Sequence, residues 1–162
     1  MNIKLSRIDD RLIHGQVATV WSKEAGAGRI IVVDDEVSND EIRKTLLKQA
    51  APPGIKVNVV DVDKAVRVYN NPKYANEDVF FLFTVPSAPL RMVKAGVPIK
   101  SVNVGGMQFK EGRKQITKAA SVTDAEAADF LELEKLGVEL DLRVVASDSK
   151  EDFGAKLHAA GY

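Results

Sequence analysis

The sequence predicts an α/β protein: a single domain with an open, twisted, mostly parallel sheet of about seven strands and helices on both faces. Three observations predict it. Short β-branched runs alternate with helical patterns along the chain. The runs are near-continuously apolar rather than alternating, as in parallel strands covered on both sides. The length of 162 residues, 45% hydrophobic and 28% charged, suits one core of ordinary size and carries too much apolar material for a disordered chain. Residues 1–162 are therefore read as one unit.

The strands are IKLSRI from Ile3, RIIVVD from Arg29, IKVNVVDV from Ile55, DVFFLFTV from Asp78, IKSVNV from Ile99 and VELDLRVV from Val138. A seventh is expected in KQITKAASV from Lys114, after a turn at Gly105 and Gly106. Between the strands, GQVATVWSKEAG reads as a helix with Trp21, Val17 and Val20 on its core-facing stripe. Ser38, Asn39 and Asp40 offer caps before EIRKTLLKQ, and Pro52, Pro53 and Gly54 stop that helix. Thr123 and Asp124 start another, which Gly137 ends. The last stretch, FGAKLHAAGY, reads as a fraying helix, and its His158 is given no role.

Lys plus Arg and Asp plus Glu both number 23, so no whole-molecule field recruits nucleic acid or an anionic membrane. The absence of cysteine removes disulfides and thiolate chemistry and fits a reducing compartment. No run reaches the roughly 18 apolar residues of a spanning helix, and MNIKLSRIDD is no signal peptide, so a cytoplasmic protein is expected. HExxH, a Walker phosphate loop and GxSxG are all lacking, which argues against the mechanisms they carry.

In an open parallel sheet, ligands bind outside the carboxyl ends of the strands, near the switch in strand order. That rule selects the loops Asp9 to Gln16, Asp34 to Val37, Thr84 to Ser87 and Gly105 to Phe109, and only the first holds a histidine. In RIDDRLIHGQVATVW, His14 stands at a loop-to-helix junction, where the free backbone N–H groups of Gly15 and Gln16 and the positive dipole end suit a phosphoryl group. The same dipole favours the neutral, nucleophilic imidazole. Arg11 presents a planar guanidinium that contacts two phosphoryl oxygens, and Asp9 and Asp10 orient Arg11 or hydrogen-bond the ring. Thr84 is placed to donate its hydroxyl to the same group, and Gly105 and Gly106 permit close approach of a supporting loop. The competing reading makes His14 an ordinary helix cap, with Arg11 paired to Asp9 on the surface. A further alternative is a receiver-like regulatory or anion-binding module using Asp34 and Asp35, although that acidic pair follows the second strand rather than the first.

RIDDRLIHGQV, the AAPPGIKV turn and NVGGM together resemble the IIB component of the mannose, fructose and sorbose family of the bacterial phosphotransferase system. The likeness spans nearly the whole chain, without departure at the histidine loop. It implies a protein-Nπ-phosphohistidine:sugar phosphotransferase. His14 would take the phosphoryl group on Nδ1 from the IIA component and pass it to a mannose, fructose or sorbose class sugar. The IIC and IID membrane components would present that sugar. The resemblance assigns Arg11 to the phosphoryl group and Asp9 to the acidic residue that pairs with Arg11. No metal or other cofactor is expected, since a covalent phosphohistidine is already an activated donor. Homo-oligomerisation is left open.

Overall fold

The computed structural model describes residues 1–162, except for the side chains of Gln16 and Val17. All six strands read from the apolar runs form: β1 (Asn2–Asp9), β2 (Arg29–Val33), β3 (Lys56–Val60), β4 (Asp78–Phe83), β5 (Ser101–Gly106) and, after two short strands, β8 (Glu139–Leu142). They join a seven-stranded sheet in the order β3-β2-β4-β1-β5-β8-β9, parallel throughout except for β9 (Glu151–Asp152), which runs antiparallel to β8.

The seventh strand is therefore not the run from Lys114. That run forms a separate antiparallel hairpin of β6 (Lys114–Gln115) and β7 (Ser121–Val122). Both β6 residues are exposed, and the Thr117 hydroxyl accepts the Ala119 and Ala120 N–H groups to close the turn. A segment with so little apolar surface gains nothing from a place inside a sheet covered on both faces. Gly105 and Gly106 likewise make no turn, because they are the last two residues of β5.

Four of the α-helices, the last among them, begin where a short polar side chain takes up a free N–H group. In α2 (Glu41–Gln49) the Asp40 side chain accepts the Arg43 N–H. In α3 (Val62–Tyr69) Asp61 accepts that of Lys64. Thr123 and Glu126 cap α5 (Asp124–Lys135) reciprocally. Upstream, α1 (Gly15–Ala25) ends at Gly26, whose φ of 68° supplies the left-handed stop, and α4 (Ser87–Lys94) follows β4.

The last stretch does not fray. It forms α6 (Phe153–Ala159), whose Phe153 meets Phe130 edge-on at 5.0 Å. His158 Nε2 lies 3.1 Å from the Glu134 carboxylate, and the Tyr162 hydroxyl donates to Asp124 at 2.7 Å.

Two apolar layers flank the sheet. On one face Leu12, Ile13 and Trp21 pack on Ile30, Val32, Phe80 and Leu82. On the other, α3 to α6 cover Ile8, Ile31, Phe81, Phe83 and Val104. Trp21 is buried as its stripe predicts, whereas Val20 is 45% exposed, and Val17 lies outside the described residues. From β1 the chain crosses to β2 on one side, while from neighbouring β5 it proceeds to β8 on the other. The switch crevice therefore lies over the carboxyl ends of β1 and β5.

Candidate functional site

β1 delivers Arg7 and Asp9 to the same face of the sheet, because side chains alternate along a strand. Beyond Asp9 the chain turns sharply: the Leu12 N–H donates to the Asp9 carbonyl at 2.9 Å, and Leu12 takes a φ of 58°. A bulky residue in that left-handed region costs on the order of 1–3 kcal/mol. The cost is borne because Leu12 is buried against the Trp21 layer. This fold-back brings His14 over Asp9.

His14 does occupy the N-cap position of α1, with φ −147° and ψ 140°, but its side chain caps nothing. Its Nε2 instead lies 3.0 Å from Asp9 Oδ2. A carboxylate offers only lone pairs, so Nε2 carries the proton and donates, and in the neutral ring that leaves Nδ1 with its lone pair. The Asp9 side chain is 3% exposed and that of His14 20%.

Asp9 is held by more than the ring. Arg7 Nη2 donates to the same Oδ2 at 3.0 Å, and the Arg11 backbone N–H donates to Oδ1 at 3.1 Å. Arg7 is itself buried and fully engaged: Nη1 donates to Asn103 Oδ1 at 2.6 Å and to the Arg143 carbonyl at 3.1 Å, and Nη2 to the Val144 carbonyl at 3.1 Å. Burial pushes the guanidinium below its ordinary value, and Asp9 pulls it back without fully offsetting the loss of water. The Trp21 ring lies 4.9 Å from Arg7 Cζ and 5.2 Å from Arg143 Cζ, a cation–π arrangement, while its Nε1 donates to the Val144 carbonyl at 3.2 Å.

The two glycines of β5 now have a cause. Register between β1 and β5 slips after Ile8↔Val104 to Asp9↔Gly106, which leaves Gly105 as the extra residue of a bulge. A Cβ at Gly105 would overlap the Arg7 guanidinium, and one at Gly106 would stand 3.2 Å from Asp9 Oδ1. The expected supporting role beside His14 thus takes the form of space for the groups beneath it.

Other expectations are corrected. Asp9 pairs with Arg7, not with the Arg11 guanidinium, which is exposed and, among the described residues, joins no ion pair. Asp10 does not face the imidazole: its Oδ2 accepts the Gln108 N–H at 2.8 Å and lies 3.4 Å from Arg113 Nη1, fastening the loop after β5 to the histidine loop. Arg113 is anchored in turn on Glu126 at 2.8 Å. The Thr84 hydroxyl donates to Asp34 Oδ2. Asp34 Oδ1 accepts the Glu36 and Val37 N–H groups, both at 2.9 Å, while Asp35 accepts the Val62 N–H at 3.0 Å and Arg91 at 2.6 Å. Both carboxylates hold loops together at this end of the sheet. Gly15 opens α1 with a φ of 50°, and the Gln16 side chain lies outside the described residues.

Arg7, Asn103 and Arg143 were not read from the sequence as site residues. One signal was available, since a charged residue in the apolar run IKLSRI, two positions before Asp9, must share its face. Asn103, directly opposite Arg7 in the register, needed the tertiary structure.

The family model described as the PTS system sorbose subfamily IIB component matches residues 3–161. The sorbose-specific EIIB component of Lacticaseibacillus casei is 62% identical over 97% of this chain and 96% of its own length. The mannose-specific EIIAB component of Escherichia coli (strain K12) is 57% identical over 93% of this chain, which spans 46% of that relative. The crystal structure of the IIBSor domain of the sorbose permease from Klebsiella pneumoniae superposes with a TM-score of 0.97 at 57% identity, covering 100% of this chain and 99% of that one.

Proposed function

Because the chain belongs to the sorbose-subfamily IIB components of the phosphotransferase system, a group of phosphotransferases, we propose that it carries a phosphoryl group on His14 Nδ1 between a IIA donor and a hexose. The observation that carries this reading is the His14 Nε2 contact with buried Asp9, which leaves Nδ1 with its lone pair free for attack. In the first step the P–N bond of a donor phosphohistidine breaks as the bond from His14 Nδ1 to phosphorus forms. In the second, a sugar hydroxyl oxygen bonds to phosphorus as the His14 Nδ1–P bond breaks, the hydroxyl proton passes to water, and His14 is left neutral with its proton on Nε2. Asp9 keeps the proton on Nε2 throughout. The exposed Arg11 guanidinium and the Gly15 N–H at the start of α1 offset charge on the transferring oxygens. That chemistry needs no metal or other cofactor.

The name of the E. coli relative, an EIIAB component, supports a IIA domain as donor. The sugar belongs to the mannose, fructose or sorbose class named among the relatives and is presented by IIC and IID partners. No helix among the described residues is long and apolar enough to cross a membrane. The reading places the protein on the cytoplasmic side, meeting the membrane through those partners.

The test is incubation with phosphoenolpyruvate, the general phosphotransferase proteins and IIA. Acid-labile label on the wild type and none on His14→Ala is expected. An unlabelled wild type, or equal labelling of the variant, refutes the assignment.

A further inference from the structure

Asp9 Oδ2 accepts two N–H groups at the same distance, 3.0 Å from Arg7 Nη2 and 3.0 Å from His14 Nε2. A carboxylate that is 3% exposed has little water to hold its charge or its direction. Alone beneath an imidazole its oxygens would be free to turn, and with them the ring nitrogen that they engage. Arg7 removes that freedom. Its cation neutralises Asp9 from below, and its planar fork is locked by Asn103 Oδ1 and the Arg143 and Val144 carbonyls, so it meets Oδ2 from one direction only. The bulge at Gly105 is the space in which the fork lies.

We infer that Arg7 is a positioning residue: held in the Gly105 bulge, it fixes the Asp9 carboxylate in place and direction so that His14 keeps its proton on Nε2 and presents Nδ1. Arg7 touches no reacting atom and acts only through Asp9. Its importance to transfer rests on the carrier reading above, but its effect on the ring proton does not.

The experiment uses the intact unphosphorylated protein with 15N-labelled histidine. In the wild type the His14 Nε2 proton should be visible by NMR and slow to exchange with water. Gly105→Ala pushes the guanidinium aside while keeping its charge, and Arg7→Lys keeps a cation without the fork. Both should speed exchange of that proton at least about tenfold and slow phosphoryl uptake by about tenfold or more, as small misplacements of reacting groups do. Each variant's amide spectrum verifies its fold, and if Gly105→Ala does not fold, Arg7→Lys carries the same test.

A folded variant with an unchanged ring proton overturns the inference. So does a lost ring proton with undiminished transfer, or a wild type that shows no held proton. A wild type that holds the proton yet accepts no phosphoryl group refutes the carrier reading instead, and the variants' ring-proton signals then test Arg7 by themselves.

Discussion

Replacing Asp9 by Asn exchanges two acceptor oxygens for one oxygen and an NH2 group. In the native site three donors converge on the carboxylate: Arg7 Nη2 and His14 Nε2 on Oδ2, and the Arg11 N–H on Oδ1. If the amide oxygen takes the Oδ2 place, the NH2 confronts one N–H, and in the other orientation it confronts two. The first is favoured, which leaves the Arg11 N–H orphaned and the Arg7 charge uncompensated. Removing one partner of a buried ion pair costs about 3–5 kcal/mol, and an orphaned donor about 1–3 kcal/mol. Arg7 keeps three other acceptors and the amide oxygen remains, so a net loss of about 2–3 kcal/mol is expected. At this chain length each kcal/mol shifts Tm by about 2–4 °C, which predicts a fall of about 4–12 °C in a thermal melt. Transfer from phosphorylated IIA, followed in a single-turnover quench assay, should slow by about 10²-fold, since a neutral oxygen holds the Nε2 proton less firmly. A variant that melts with the wild type and transfers within about threefold of its rate refutes this account of Asp9.

Arg11→Lys should leave Tm within the spread of surface substitutions, about 0.5 kcal/mol, because the side chain is exposed. It should nevertheless slow transfer by about tenfold through loss of the bidentate fork, and an unchanged single-turnover rate removes Arg11 from the mechanism. Phe130→Ala empties a fully buried site against Phe153 and should cost about 3–5 kcal/mol in urea unfolding, with the transfer rate of the folded fraction preserved. At the carboxyl end, the Glu134 hydrogen bond raises the His158 imidazole above its ordinary value. A raised value stabilises the fold below the unfolded pKa of about 6.5 and loses that contribution as pH climbs through the folded value. The Tm of the wild type relative to His158→Gln should therefore be higher at pH 6 than at pH 8, and equal differences at the two pH values count against the tether. Glu126 has the opposite sense: burial opposes its charge, but Arg113 and the Thr123 cap prevail and lower its pKa. Its stabilisation is present above the ordinary carboxylate range and disappears on acidification, so Glu126→Gln should flatten the acid limb of a melting curve.

The sequence by itself determined the layered α/β fold, because continuous β-branched runs and cap residues are local signals that no other architecture satisfies as well. It also singled out His14, Arg11 and Asp9, since a histidine at a strand-to-helix junction is visible as a string. The tertiary structure alone decided what these residues do to one another. Asp9 and Arg11 are two positions apart, and proximity in the chain suggested their pairing, yet the bulge at Gly105 gives Asp9 to Arg7 and frees Arg11. The seventh strand passed from the run at Lys114 to Glu151–Asp152 for a related reason. An edge position is settled by which segment can reach β8, and two exposed residues carry no pattern to announce it. Asn103, Arg143 and Val144 reach Arg7 across about 100 or more residues of chain. The network beneath His14 is built from those long-range contacts, and buried polar groups find their partners only when the strands that bear them are paired.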